Sequence, residues 1–476
     1  MKRQLFTGLA LTIMACSAPA LAASQGVSDQ ARLGLNLTLY ANGLALIDDQ
    51  RRVVLEKGIN TLNISGISPA MLEDSARIDT DGKLNLHEQS FLKPNLSHQD
   101  LLKAYVGRSV KVIRTNPKTG EETVLDADVL SVNQGLILRI GGRIETTVPG
   151  RIVFADIPEG FRPQPVFRVT GQSPEIHESD LDLSYLSTGF SWRANHTLSV
   201  EAASPTIRLE SRAILVNRSG LDIKAATVQV VAGDVQRRTP SVPRPETTAL
   251  RMMKTEGAAM MADAAAPPQR QSLGGYHLYT LNGKIDLADQ TNKQVTLLAP
   301  VSLPVTRRLI SETHANPFSP RQGTPRPTHP AIRLSVSNDK TTGPGKPIPG
   351  GIARMYGKDA QGRTQFLGED HLNDLPVGAT ATISAGRAFG VTVTRHQTDY
   401  QREGLGRNTF EMAYRINITN GGERAETVQV IEAMGGDWTV LEESAQHVRD
   451  NNRARWSINV PAKGDAEVTY RVRVKR

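Results

Sequence analysis

One cysteine, Cys16, serves 476 residues, so the chain cannot form an internal disulfide. Aromatic residues make up only 5 %, too few to supply the two aromatic girdles of an outer-membrane β-barrel. No apolar run reaches the roughly 20 residues that a membrane-spanning helix needs. The His-Glu-x-x-His zinc motif is missing, because neither His87-Glu88 nor His177-Glu178 has a second His one helical turn on. The phosphate-cradling Gly-x-x-x-x-Gly-Lys loop is missing too. Gly189-Phe190-Ser191-Trp192-Arg193 has Arg where a nucleophile elbow needs its second Gly. Ser90-Phe91-Leu92-Lys93 has the Ser-x-x-Lys shape, but Pro94 stops the helix such a site requires.

The N-terminus carries an address. Lys2 and Arg3 precede an apolar stretch from Leu5 to Ala15, and Ala20-Leu21-Ala22 offers the small-x-small pattern of a signal-peptide cleavage site. The expectation is export to the periplasm or beyond, with residues 1–22 removed and Cys16 lost with them. The alternative reads Ile13-Met14-Ala15-Cys16 as a lipoprotein box, with Cys16 acylated and retained as an outer-membrane anchor. The net charge is +8, from 56 Lys and Arg against 48 Asp and Glu. In an exported protein this excess does not point to nucleic acid. It is scattered in short pairs such as Arg51-Arg52 and Arg307-Arg308, which read first as solubilising charge and second as a weak attraction for anionic envelope polymers.

Gly 40 and Pro 27 punctuate short alternating runs, the texture of an all-β, multi-domain chain. Residues 23–95 read as a small β module, with Leu35, Leu37 and Leu39 alternating before the turn pair Asn42-Gly43. Lys57-Gly58 is a further turn, and Asp81-Gly82 a hairpin turn between 76–78 and 84–86. In residues 100–160, Leu101, Leu102 and Tyr105 share one helical face. Several short strands follow, joined at Asn116 to Gly120, Asn133 to Gly135 and Gly141-Gly142. That density of strands predicts a small SH3-like barrel. Residues 166–236 have the spacing of a β-sandwich, as do residues 276–476, where Asn282-Gly283, Asp359 to Gly362 and Asn420 to Gly422 mark turns and Asn316 to Pro330 interrupts the pattern. Between them, residues 237–275 are rich in Pro, Ala, Thr and Met and have little to bury, which predicts a disordered linker. Its Met252-Met253 and Met260-Met261 would form one side of a transient helix; a Cu(I)-binding tract is the sharper alternative.

From Tyr185 to Trp192 the chain reads Tyr-Leu-Ser-Thr-Gly-Phe-Ser-Trp. Further on come Lys293 to Leu298, Gly345 to Gly351, Gln365 to Glu369, Gly435-Gly436-Asp437-Trp438, and a close from Val460-Pro461-Ala462 to Tyr470-Arg471-Val472. In this order the blocks resemble the mucoidy inhibitor A-like family, whose shared region is domain of unknown function 4139, over roughly Phe167 to Arg476. Ala41 to Ser65 resembles that family's N-terminal β module. Many relatives carry a long coiled coil in the middle, where residues 100–160 here read as the small barrel. The resemblance implies a β-rich envelope protein and brings no catalytic residues with it.

The candidate sites are correspondingly sparse. His177, Glu178, Asp180 and Asp182 form the densest polar group, and Glu369, Asp370 and His371 a second; each reads first as a solvated turn and second as a metal or acid–base site. Asp79-Thr80-Asp81-Gly82 with Glu88 imitates the tail of a calcium loop, but Arg77 stands where the first carboxylate belongs. Trp192 and Trp438 read as core anchors, with glycan stacking as the alternative. No catalytic, cofactor-binding or metal residue is assigned. The expected function is an exported, non-catalytic envelope protein whose β modules bind another protein or a surface polymer. The alternatives are an exported hydrolase of glycans or peptides, which would bring Asp180, Asp182, Glu369 or His371 into one cleft, and a structural lipoprotein anchored at Cys16.

Overall fold

The computed structural model describes residues 23–147, 150–201, 204–233, 272–273, 276–315, 325–341, 343–402 and 408–475. The expected signal segment with Cys16, and all of the expected linker 237–275 except Ser272–Leu273, lie outside them. The described chain is all-β, as the alternation predicts: strands account for nearly all regular structure, with one seven-residue helix, His98–Ala104. None of its helices is long and apolar enough to cross a membrane. Two units are distinguished, Met1–Ser191 with Val216–Gln229 and Gly283–Thr291, and Trp192–Leu215 with Val230–Asn282 and Asn292–Arg476.

In the first unit, Gly58–Ile64 pairs in parallel with Ala23–Val27 and antiparallel with Val166–Ser173, which in turn pairs with Asn85–Leu92. A second sheet is built on the hairpin Arg32–Tyr40 and Leu44–Leu55, extended by His177–Thr188 and the short edge strand Arg77–Asp79. The hairpin turns at Asn42-Gly43, where Gly43 takes φ +82° as the turn requires. Along Leu44–Leu55 the odd-numbered residues are buried, so Asp49 and Arg51 lie in the core between Ile47 and Val53. Arg51 donates Nε and Nη2 to Asp49 at 3.2 and 2.7 Å. Its Nη1 donates to the carbonyls of Val27 and Ser65 at 2.9 and 2.7 Å, on the other sheet's first strand and just past its second. Arg32 clamps the same Asp49 carboxylate at 2.9 Å through two nitrogens, and Asp29 closes the group at 3.0 Å from Arg32. Gly66 passes so close that a Cβ there would lie 2.0 Å from Asp29 Oδ1.

The expected hairpin at Asp81-Gly82 and the expected turn at Asn282-Gly283 are built differently, whereas Lys57-Gly58 does separate two strands. Asp81 and Gly82 do turn, at φ +52° and +71°. The strands on either side, Arg77–Asp79 and Asn85–Leu92, belong to different sheets, so the turn is a crossover and not a hairpin. Lys57-Gly58 likewise hands the chain from one sheet to the other. At Asn282-Gly283 there is no reversal: strand Tyr276–Leu287 runs straight through, and the φ of +76° at Gly283 is a local kink within it.

Residues 100–160 form the expected compact module with its own core of Tyr105, Val110, Val112, Ala127, Val129, Leu138 and Ile140. The helix is started by Ser97, whose Oγ accepts from Asp100 N at 3.1 Å, and buries Leu102. Five antiparallel strands follow as a meander, Ser109–Thr115, Glu122–Ser131, Ile137–Ile140 and Arg143–Glu145, with Arg151–Val153 returning to pair with the first. The two outer strands, three residues each, do not pair with one another, so the sheet curls without closing into a barrel.

The second unit is organised by one 25-residue strand, Thr291–Ala315. Val305 to Ile310 pair with Ala331–Ser337, and Leu309 to Ala315 pair in parallel with Glu426–Met434. The ten-stranded sheet built on it also takes in Phe190–Val200, Thr206–Asn217, Gly351–Lys358 and Thr364–Leu372. Thr364–Leu372 meets Thr380–Arg387 through a side chain, Ser384 N donating to Asp370 Oδ2 at 2.6 Å. His196 is fully buried here. Its Nε2 donates to the Pro349 carbonyl at 2.9 Å, which leaves Nδ1 to accept from Ser211 Oγ at 2.9 Å. Burial pushes its pKa below the ordinary value, against the pull of the Pro349 carbonyl.

Two predictions follow from these buried groups. Arg51→Ala leaves Asp49 with Arg32 alone and takes the donor from the Val27 and Ser65 carbonyls, and should cost about 3–5 kcal/mol of the first unit's stability, read as a fall in its urea midpoint. His196 is neutral in the folded chain and takes up a proton near its ordinary pKa, about 6.5, once unfolded. Between the two pKa values the unfolded state therefore binds more protons, and stability falls as pH drops through about 6.5. His196→Gln should remove that part of the slope in denaturation curves compared at about pH 7.5 and 5.5; an unchanged slope would reject the assignment.

Candidate functional site

The C-terminal half of the second unit is a sandwich. One side is a four-stranded antiparallel sheet in the order Val391–Gln401, Thr409–Asn420, Gly464–Lys475 and Asp437–Glu443. Its inner face packs on Leu309 and on Val428, Val430, Trp456 and Ile458 of the larger sheet. A line of rings runs through this core. Tyr414 stacks on Tyr470 at 5.3 Å, and Tyr470 on Trp456 at 4.7 Å; His447 lies 5.8 Å from Trp456 and 5.7 Å from Trp438. A guanidinium caps each end, Arg395 at 3.7 Å over Tyr414 and Arg449 at 4.1 Å over Trp438.

Arg395 also pairs bidentately with Glu432, Nε at 2.7 Å and Nη2 at 3.0 Å, and Glu432 is completely buried. Thr313 Oγ1 donates to the same carboxylate. Burial opposes the Arg395 charge, but the adjacent Glu432 carboxylate outweighs it and raises the pKa above the usual arginine range. Burial, with Glu432 next in weight, pushes the Tyr470 hydroxyl well above its ordinary value. Arg395 is therefore charged and Tyr470 neutral throughout the working range.

The outer face of this sheet holds a groove of about 440 Å³. One register row crosses all four strands as Asp399, Ala413, Arg471 and Glu442. Ala413 is the low point, flanked along its strand by Glu411 and Arg415. Both edge strands are bulged beside it, between Gln397 and Asp399 and between Val440 and Glu442, which brings Thr398 and Glu442 to the rim. Ion pairs hold the cations in place: Arg471 with Asp399 at 2.8 Å, Arg473 with Glu411 at 2.6 Å, and Arg415 with Glu467 at 3.3 Å. Ser444 Oγ accepts from Thr469 N at 2.9 Å. Glu443 ties groove to core, its Oε2 accepting from Trp456 Nε1 at 3.0 Å and His447 Nδ1 at 2.9 Å. The groove thus presents hydroxyls, carboxylates and guanidiniums on a stiff base, a surface suited to hydrogen-bonding a polar ligand lying across the strands.

The groups singled out in the sequence are placed elsewhere. Glu178, Asp180 and Asp182 share one face of His177–Thr188, while His177, one residue off in phase, belongs to the other. Asp180 is paired with Arg52 at 3.1 Å. Asp182 sits opposite Asp79, and partial burial, then Asp48, Asp79, Asp180 and Asp81, raises its pKa. Asp79 Oδ1 accepts from Asp81 N at 3.0 Å, an ordinary turn contact. Glu369 pairs with Arg354 at 3.0 Å, and Asp370 is bonded to Ser384 and His371 backbone. Asp180 and Asp182 belong to the first unit, Glu369 and His371 to the second. Ser90 Oγ donates to Glu88 at 2.9 Å and Lys93 pairs with Glu73 at 3.2 Å. Trp192 and Trp438 are buried, Trp192 donating to the Val231 carbonyl at 2.9 Å. The Met tract lies outside the described residues. Among the described residues, no group of three or more His, Asp or Glu is placed to hold a metal ion. Nothing in linear spacing marks the groove residues, which come from four strands; only the alternation of Val468, Tyr470, Val472 and Val474 hints that Thr469, Arg471 and Arg473 share an outer face.

Fold and groove together define an all-β protein with a polar surface groove on a C-terminal sandwich. Domain of unknown function (DUF4139) matches residues 181–476, and the chain belongs to that family. No curated protein matches it.

Removing the carboxylate that joins groove to core should be felt in both. Glu443→Ala leaves Trp456 Nε1 without its acceptor and should lower the stability of the C-terminal sandwich by about 1–3 kcal/mol, with a change in tryptophan fluorescence. A variant as stable as the parent would show that water replaces the carboxylate.

Proposed function

We propose that this is an exported, non-catalytic protein of the cell envelope, a mucoidy inhibitor A-like member of its family, whose β modules bind another protein or a surface polymer. The observation that carries the reading is the groove over Ala413. Its rim mixes hydroxyls with both signs of charge, its cations are held by carboxylates, and the ring-and-guanidinium line behind it keeps the floor stiff. Such a surface can hold an extended polar ligand without bond-making chemistry. Export rests on residues 1–22, with cleavage after Ala22; acylation at Cys16 is the alternative, and intact mass of the mature chain separates the two. At the groove Arg415, Arg471 and Arg473 are each paired with a carboxylate, which favours a mixed polar ligand over nucleic acid.

The test is site-directed. A photo-crosslinking amino acid at Thr398 or Ser444, in intact cells, should yield a reproducible envelope adduct, whereas one at Lys118, in the hairpin turn of the 100–160 module, should not. Equal labelling at all three positions, or none at the groove, rejects the site. Turnover of envelope glycans or peptides by the purified chain rejects the non-catalytic reading and returns the hydrolase.

A further inference from the structure

The Arg307-Arg308 pair in the 25-residue strand divides its charges between two faces of the sheet. Arg307 is paired with Glu426 at 2.7 Å. Arg308 points the other way, and the residue directly opposite it on the neighbouring strand is Arg333. The Cα atoms of such register partners stand about 5 Å apart. Among the described residues neither guanidinium has a hydrogen-bond or ion-pair partner. Arg387 stands one row along, opposite Ala331, with the His329 carbonyl as its acceptor at 3.0 Å. Acids of the same region are engaged elsewhere, Glu312 with Arg453 at 3.3 Å and Asp370 with the backbone of Ser384 and His371. Like charges directly opposite on paired strands destabilise a sheet, and no described carboxylate offsets that cost here. The rest of the face is neutral and hydrogen-bonding. Ser384 stands beside Arg333, and the next row reads Thr306, Ser335 and Thr382. On the other side, past Ile310 and Ala331, the face continues as Gln429 and Ser457. Arg308, Thr306, Thr382 and Ser457 are exposed.

We propose that this face binds an acidic glycan, a chain of hydroxylated sugar rings carrying carboxylates, with one carboxylate held between Arg308 and Arg333. Charge complementarity selects the ligand. Two unpaired guanidiniums meeting at one point make a double fork for a planar anion. The hydroxyls and amides around them are donors and acceptors for neutral sugar hydroxyls. A nucleic-acid strand carries a charge at every unit, and asks for a track of cations with aromatic rings under its bases. This face gathers its cations in one cluster and has no aromatic residue in the rows described. A protein partner brings apolar side chains, for which these rows offer only Ile310 and Ala331. The inference takes the surface-polymer branch of the envelope reading for its ligand. Its residues are none of the groove's, so site and groove can fail separately.

The experiment is isothermal titration of the full chain at low salt with tetragalacturonate, its methyl ester and a thymidine tetranucleotide. Tetragalacturonate should bind saturably, the ester at least tenfold more weakly, and the tetranucleotide no better than the ester. Arg308→Gln and Arg333→Gln should each weaken tetragalacturonate at least tenfold. Both should leave the melting temperature unchanged or higher, since each relieves the like-charge pair. Thr306→Glu, which sets a carboxylate beside the guanidiniums, should abolish binding and raise the melting temperature. Thr398→Ala in the groove should change neither. The proposal is overturned by no saturable binding of tetragalacturonate, by equal binding of acid and ester, or by tighter binding of the tetranucleotide. Binding that survives Arg308→Gln, or a lowered melting temperature in both Arg variants, overturns it as well. Loss of binding in Thr398→Ala instead places the glycan in the groove, which overturns this site and spares the groove reading.

Discussion

A guanidinium inside a β-sandwich must be matched where it sits, and both units of this protein are arranged around that requirement. In the first, Arg51 and Arg32 converge on Asp49, and the Arg51 donors left over reach the carbonyls of Val27 and Ser65. In the second, Arg395 meets the fully buried Glu432, with Thr313 and the face of Tyr414 completing the cage. The desolvation of such pairs is so costly that their net gain over an apolar core is small or negative. Their consequence is directional. An aliphatic core tolerates small slips between sheets, whereas Arg51 satisfies its donors only with those two carbonyls in reach.

The same group shows where sequence reading stops. Alternation at Leu35, Leu37 and Leu39 is plain, and so are the turn at Asn42-Gly43 and the strand content of the chain. Yet Arg51 and Arg52, side by side, both read as solubilising charge. Arg51 is fully buried and Arg52 is 54 % exposed, because neighbours on a strand face opposite ways. Nothing in the run Asp48 to Arg52 says which phase points inward; that is decided by the Arg32 guanidinium and the carbonyls of Val27 and Ser65, all outside the run. Turns pose the related difficulty. Asp81-Gly82 and Lys57-Gly58 announce positive φ correctly, but whether a turn closes a hairpin or crosses between sheets depends on which strand waits on the far side. At Asn282-Gly283 one continuous strand absorbs the kink.

The groove was illegible for a stronger reason. Thr398, Ala413, Glu442 and Arg471 come from four strands and meet only because the register Asp399–Ala413–Arg471–Glu442 aligns them. That register depends on two bulges, each an extra residue that no composition or periodicity announces. The bulges let an edge strand keep its apolar alternation toward the core while its rim residues are re-aimed outward. Trp438, which the sequence singles out, and Trp456, which it does not, serve the other face. They hold His447 between them and pass, through Glu443, a fixed position to the groove's end.

Stiffness is therefore the property that joins the parts. A binding surface made on a sheet pays little ordering entropy only if the sheet does not flex when the ligand arrives. Here the floor is a single methyl, Ala413, and its neighbours are clamped from outside by ion pairs and from inside by stacked rings capped with two guanidiniums. Beneath that floor the Glu432 carboxylate holds Arg395 charged against its burial, and burial with Glu432 keeps Tyr470 neutral. The core under the groove therefore keeps one charge pattern as the pH changes, and that constancy is the physical support for the proposed binding surface.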